Sequence, residues 1–243
     1  NFECAGFGQE RGKLIPVEEM PYQIDERADP EHELAYKSIE ELPVTPIGCD
    51  SSASWSRKYK HLQMTKTPEE VFEHLVSLIP NGTFEGRHGE DIHLVITGGE
   101  PLLGWQRVWP SLLSMCKEVG LKNVTFETNG SKEVTPELIN YFNSPEGEDI
   151  HVTWSTSPKL SLSGEKLEDT LKPECLTSMN QVLNSYLYNK FVVRDIIDFE
   201  EEILLVYPNP ITHKTTVSFD NPTQSKAVIK VIDSRGRVVR EYS

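Results

Sequence analysis

The stretch ITGGEPLLGWQ places Gly98, Gly99, Glu100 and Pro101 directly behind the apolar run IHLVIT. Glycine lets a backbone approach a ligand closely, and ligands of parallel α/β sheets bind at the carboxyl ends of the strands. On its own, a Gly-Gly pair here is an ordinary strand-to-helix turn. Two further strand-like runs end in the same way, however. FETNGS closes with Glu127, Thr128 and Asn129, and TWSTSPKLSLSGEK closes with Ser155, Ser157 and Lys159. Together they would gather carboxylate, amide, hydroxyl and ammonium groups at one mouth of a sheet. Cysteine offers a second chemistry, because thiolates grouped in a short motif hold iron–sulfur clusters. Cys4 lies in NFECAGFG, and its nearest partner in sequence is Cys49, with 44 residues between them.

The elements that would carry these groups follow from periodicity. TPEEVFEHLVSLI has Thr67 as an N-cap, Pro68 at the first helical position and an apolar stripe of Val71, Phe72, Leu75, Val76 and Ile79. Strands are predicted over 92–97, 123–128, 150–155 and 190–194. Between them, helices are predicted in WQRVWPSLLSMCKEV, begun or kinked at Pro110, in TPELINYFN behind Thr135, and more weakly over 176–187. An acidic helix, IDFEEEILL, follows. Four alternations of strand and helix predict an α/β layer or a partial (βα) barrel. Residues 8–47, acidic and interrupted by prolines, read as a long loop with one short helix.

Past Val206 the pattern changes. YPNP breaks the chain, and KTTVSFD, KAVIKVID and GRVVREY read as short strands separated by turns. Charge changes as well. From Ile211 onward there are six basic and three acidic residues, against 18 basic and 35 acidic before it, for a total of −14. A shift of that size predicts a domain boundary near 204–207. The acidic balance argues against a nucleic-acid partner. No apolar run approaches the ~20 residues that cross a bilayer.

NFECAGFG, GCDSSASW, TGGEPLLGWQ, TFETNGS, SPKLSLSGEK and KFVVRD, in that order, resemble the radical S-adenosylmethionine (SAM) superfamily. Within it they resemble the 7-carboxy-7-deazaguanine synthases, in particular the phage-type branch with a long insert between cysteine ligands. The resemblance covers residues 1–203 and implies a partial (βα) barrel of the radical SAM type. It implies a 4Fe–4S cluster with Cys4 as the second ligand and Cys49 as the third. The first ligand would fall one position before Asn1. Gly98, Gly99 and Glu100 match the motif that holds the SAM amino group, Ser157 and Lys159 match a SAM-contacting SPK motif, and Glu127 and Asn129 lie on the strand lining the site. Ser51 stands where a threonine often ligates Mg²⁺, a cation that takes hard oxygen ligands.

The implied activity is that of a lyase. A radical derived from SAM takes hydrogen from 6-carboxy-5,6,7,8-tetrahydropterin, and ring contraction with loss of ammonia gives 7-carboxy-7-deazaguanine for queuosine-type bases. A flavodoxin-like electron donor, a cytoplasmic location, a homodimer and no membrane partner go with it. The alternatives are another radical SAM enzyme of the activating type, or an inactive scaffold or secreted binding module. The remaining candidates read as structural. Cys116 is expected in a helix core and Cys175 in a loop. His61, His93, His151 and His213 have no ligand spacing, and Trp55 and Trp105 are expected as core or wall.

Residues 207–243 resemble the first half of a type IX secretion sorting module, a small β-sandwich, and are expected to be an incomplete all-β piece. Such a tail would make the protein secreted. A sorting tail on an oxygen-sensitive cluster enzyme is a conflict, and the chain reads as a fragment joined to a foreign ending. Removal of 207–243 is therefore expected to leave cluster and SAM binding intact.

Overall fold

The computed structural model describes residues 24–43, 54, 56–159, 172–193, 216–219, 229–232 and 238–242. Four parallel strands form the centre: β1 (Leu94–Ile96), β2 (Asn123–Thr128), β3 (His151–Thr156) and β4 (Ser185–Val193). Their order in the sheet is their order in the chain. The helices are α1 (Pro68–Leu78), α2 (Trp109–Glu118), α3 (Pro136–Phe142) and α4 (Pro173–Met179). Three of the four begin with proline at the first position, where a missing N–H costs nothing. In α1 the capping box closes in full: Glu70 N–H donates to Thr67 Oγ1, and Thr67 N–H donates to the Glu70 carboxylate.

Because each new strand is added on the same side of the last, right-handed crossovers put the connecting helices on one face of the sheet. The core lies there. Val124, Phe126, Val152 and Trp154 pack against Leu112, Leu113 and Cys116 of α2, Leu138 and Phe142 of α3, and Leu176 and Met179 of α4. Phe126 stacks on Trp154 at 5.0 Å between centroids, and Phe142 meets both rings edge-on. The opposite face is more open: Val95 is 50% exposed, and Thr125, Thr153, Tyr186 and Tyr188 are half-buried.

The α/β expectation is met as an open parallel sheet with helices, and a radical SAM barrel is not shown by the described residues. One element differs. The apolar spacing predicted a helix over 176–187, but α4 starts and ends earlier and β4 begins at Ser185, because Val152 to Thr156 of β3 pair with Ser185 to Asn189. Long-range pairing outweighs the local periodicity. In the predicted loop the described part holds two short 3₁₀ turns, Glu26–Ala28 and Ile39–Glu41. The acidic helix over IDFEEEILL lies outside the described residues.

In the tail, β5 (Thr216–Phe219), β6 (Ile229–Ile232) and β7 (Val238–Tyr242) fall on the three predicted strands. The last two form an antiparallel pair, while β5 lies parallel to β4, Lys190 to Val193 opposite Thr216 to Phe219. With β5 the sheet has five strands in chain order.

Candidate functional site

Register brings the strand ends together. Ile96 pairs with Phe126, Glu127 with Ser155 and Thr128 with Thr156, so Thr97, Gly98, Glu127, Thr128, Ser155 and Thr156 converge at one end of the sheet. The interior changes character there. Apolar residues fill the sheet's lower part, whereas Glu100, Thr128, Asn129, Ser155, Thr156 and Asn189 are buried at its carboxyl end. Burying polar groups is costly unless they are bonded, and most of these are.

Glu100, 4% exposed, is the centre of that layer. Its Oε1 accepts from the Thr128 hydroxyl at 2.6 Å and from the Leu102 N–H at 3.1 Å, and its Oε2 accepts from the Asn129 N–H at 2.8 Å. The carboxylate thus fastens the loop after β1 to the end of β2. Two further braces hold the same loop. Gln106 donates to the carbonyls of Leu102 and Glu133 and accepts from the Thr135 N–H. Trp109 Nε1 donates to the Pro101 carbonyl at 3.1 Å.

Gly98 and Gly99, held by these braces, have φ of +82° and +55°, a region that costs other residues about 1–2 kcal/mol each. A Cβ on Gly98 would have no atom within 4 Å, and one on Gly99 would meet only Ser54 Oγ at 3.5 Å. The turn thus leaves open space beside its backbone.

Asn129 is 6% exposed, and its Oδ1 accepts from the Ser131 N–H, shaping the exit of β2. Ser157 N–H donates to the Thr128 carbonyl at 2.8 Å, carrying the β3 exit alongside that of β2. Lys159 follows Pro158, which lies 3.9 Å from where a Cβ on Gly130 would be. Glu127 is on the open face, its side chain 42% exposed. Thr97 Oγ1 donates to its Oε2 at 3.3 Å, and Lys190 Nζ donates to its Oε1 at 3.1 Å.

Lys190 was missed at the sequence level. With a strand predicted to start at 190, this lysine would sit at the far end of the sheet. With β4 starting at Ser185, it lies one residue beyond the Thr156–Asn189 pair, at the mouth. The usable signal was a lysine inside the β-rich run YLYNKFVV.

Cys4, Cys49 and Ser51 lie outside the described residues. Among the described residues no group of three or more His, Cys, Asp or Glu could hold a metal, and no helix is long and apolar enough to cross a membrane. Cys116 is in the core as expected, whereas Cys175 is buried in α4 instead of lying in a loop. Burial pushes both thiols up to about 11, with nearby Glu174 and Glu133 adding at Cys175. Neither is a ready thiolate. In native protein at pH 7.5, iodoacetamide is therefore expected to leave Cys116 and Cys175 unmodified, with both alkylated in denaturant. Peptide mass mapping reads this, and native labelling of Cys116 at the denatured rate would remove it from the core. Trp105, expected as core or wall, is 53% exposed.

The described strands and helices define an α/β chain with a polar mouth. Residues 205–243 match the family model of the secretion system C-terminal sorting domain. The chain therefore carries a sorting domain of the type IX kind at that end. No curated protein and no solved structure matches it.

Proposed function

We propose that residues 1–203 form a radical SAM enzyme of the 7-carboxy-7-deazaguanine synthase type. The observation that carries this reading is the Gly98-Gly99 turn. It lies at the end of β1 with both glycines at positive φ, opens onto space a Cβ would fill, and is latched to β2 through Glu100. A backbone cradle of this kind fits the amino-acid end of SAM, whose ammonium seeks carbonyl and carboxylate oxygens. The singly wound order of β1 to β4 agrees with a partial (βα) barrel, whose inner face would be the open face described above.

When bound, SAM and a reduced 4Fe–4S cluster would supply the hydrogen-abstracting radical, and the protein's task is to hold and orient the reactants. Gly98 and Gly99 would present backbone groups to the methionyl end, with Glu100 holding the turn in shape. Glu127, half-exposed and partly satisfied by Thr97, can accept from ligand hydroxyls. Ser157 and Lys159 would flank it from the β3 exit. Cys4 and Cys49 would be the cluster ligands and Ser51 the Mg²⁺ ligand. The enzyme would be cytoplasmic, take a pterin and an electron donor, and work as a homodimer.

Anaerobic reconstitution with iron and sulfide tests the reading. A brown protein that cleaves SAM and converts 6-carboxytetrahydropterin to 7-carboxy-7-deazaguanine is expected. SAM cleavage without that product would point to another radical SAM enzyme. Colourless protein without SAM cleavage would leave the second reading, an exported binding module, which the sorting-domain match at 205–243 favours.

A further inference from the structure

Register places Glu127, Ser155 and Tyr188 side by side on the open face, and Lys190, two residues beyond Tyr188, shares it. Lys190 Nζ reaches across β3, the strand that carries Ser155, to Glu127 Oε1 at 3.1 Å. Ser155 is 0% exposed, and its hydroxyl has no hydrogen-bond partner among the described residues. An unbonded buried hydroxyl is uncommon and calls for an explanation. The Lys190–Glu127 pair that crosses the same strand is weak. Its side chains are 39% and 42% exposed, and pairs of that kind are worth about 0.2–1 kcal/mol. A pair this weak is readily exchanged for a stronger partner.

We propose that Lys190 is the carboxylate-binding residue of the mouth. Resting on Glu127 when the site is empty, it transfers to the ring carboxylate of a flat heterocyclic acid, which also accepts from Ser155 Oγ. This rests on the synthase reading, which supplies a pterin carrying such a group. The exchange satisfies three groups at once. Lys190 keeps an anionic partner, Ser155 gains an acceptor, and Glu127 keeps Thr97 while its other oxygen turns to ligand N–H or O–H donors. Tyr186 and Tyr188, with ring centroids 5.9 Å apart, supply aromatic surface on the same face for the ring itself. In a protein of formal charge −14 a cation at the mouth also offsets the general repulsion of an acidic ligand.

The test titrates the full-length protein with two fluorescent ligands, 6-carboxypterin and pterin without the carboxylate. Wild type is expected to bind 6-carboxypterin about tenfold or more tighter, the contribution of one charge-assisted hydrogen bond. Lys190→Gln is expected to bring the ratio to about one, and Lys190→Arg to restore part of the preference. Ser155→Ala is expected to reduce it. Circular dichroism confirms that each variant is folded. An unchanged ratio in Lys190→Gln, a wild type without preference, or a wild type that binds neither ligand would overturn the proposal. Cleavage of SAM by the reconstituted wild type, assayed without any pterin, bears on the synthase reading alone, so the two can fail separately.

Discussion

Glu100→Gln is expected to lower the melting temperature by several degrees, although it preserves the side chain's size. The carboxylate accepts from the Leu102 and Asn129 N–H groups and the Thr128 hydroxyl, using both oxygens. An amide has one oxygen, so in either orientation its NH₂ faces a buried donor. A buried donor left unmade costs about 1–3 kcal/mol, and at 2–4 °C per kcal/mol for a domain of this size the shift is roughly 2–12 °C. Glu100→Ala frees all three donors, and about 3 kcal/mol is expected where water partly refills the space. Thermal denaturation read by circular dichroism measures both. Glu100→Gln melting with wild type would mean that the carboxylate is not the latch between β1 and β2. On the proposed radical SAM reading, both variants should also weaken SAM binding through the loosened Gly98-Gly99 turn, and calorimetric titration reads that loss.

Trp154→Ala is expected to be more damaging still. Trp154 is fully buried, stacked on Phe126 at 5.0 Å and edge-on to Phe142 at 6.5 Å. Truncating a buried tryptophan to alanine costs about 3–5 kcal/mol through lost transfer energy and the cavity left behind, a large share of the 5–15 kcal/mol typical of a whole domain. Trp154→Phe should cost much less. The indole N–H has no hydrogen-bond partner among the described residues, so phenylalanine gives up area but no bond. Chemical denaturation should rank wild type, Trp154→Phe and Trp154→Ala in that order, with the gap after the second much the larger. Equal losses for the two variants would show that the site tolerates no change of shape, and the cavity argument would fail.

How well the sequence could be read depended on the range of the forces involved. α1 was legible because each of its determinants acts on a neighbour no more than four positions away: Thr67, Pro68 and Glu70 make the cap and Val71, Phe72 and Leu75 the stripe. β2 and β3 were legible because burial on one face leaves alternation in the sequence, as Val124 and Phe126 show between half-buried neighbours. The α4–β4 boundary was not, because LTSMNQVLNSYL fits a helical period throughout, whereas the helix stops at Met179 and pairing with β3 draws Ser185 to Leu187 into a strand. That error carried Lys190 to the wrong end of the sheet. The polar residues at the strand ends were visible as a group, but their division of roles was not. Nothing local tells that Glu100 turns inward to three donors while Glu127 stays on the open face. That depends on which strand lies beside each.

The step from apolar to polar along each strand has an evolutionary consequence. Phe126 and Thr128 are two residues apart on one face of β2, yet the first belongs to the aromatic core and the second to the layer beneath the mouth. Substitutions at the lower positions should change mainly how much folded protein a cell accumulates, and substitutions on the open face at Glu127 or Lys190 mainly what the protein recognises. Variation in specificity can then accumulate with little burden on folding. Glu100 is the exception, since the same carboxylate joins two strands and shapes the Gly98-Gly99 turn, and a lineage that altered it would have to compensate for both losses together.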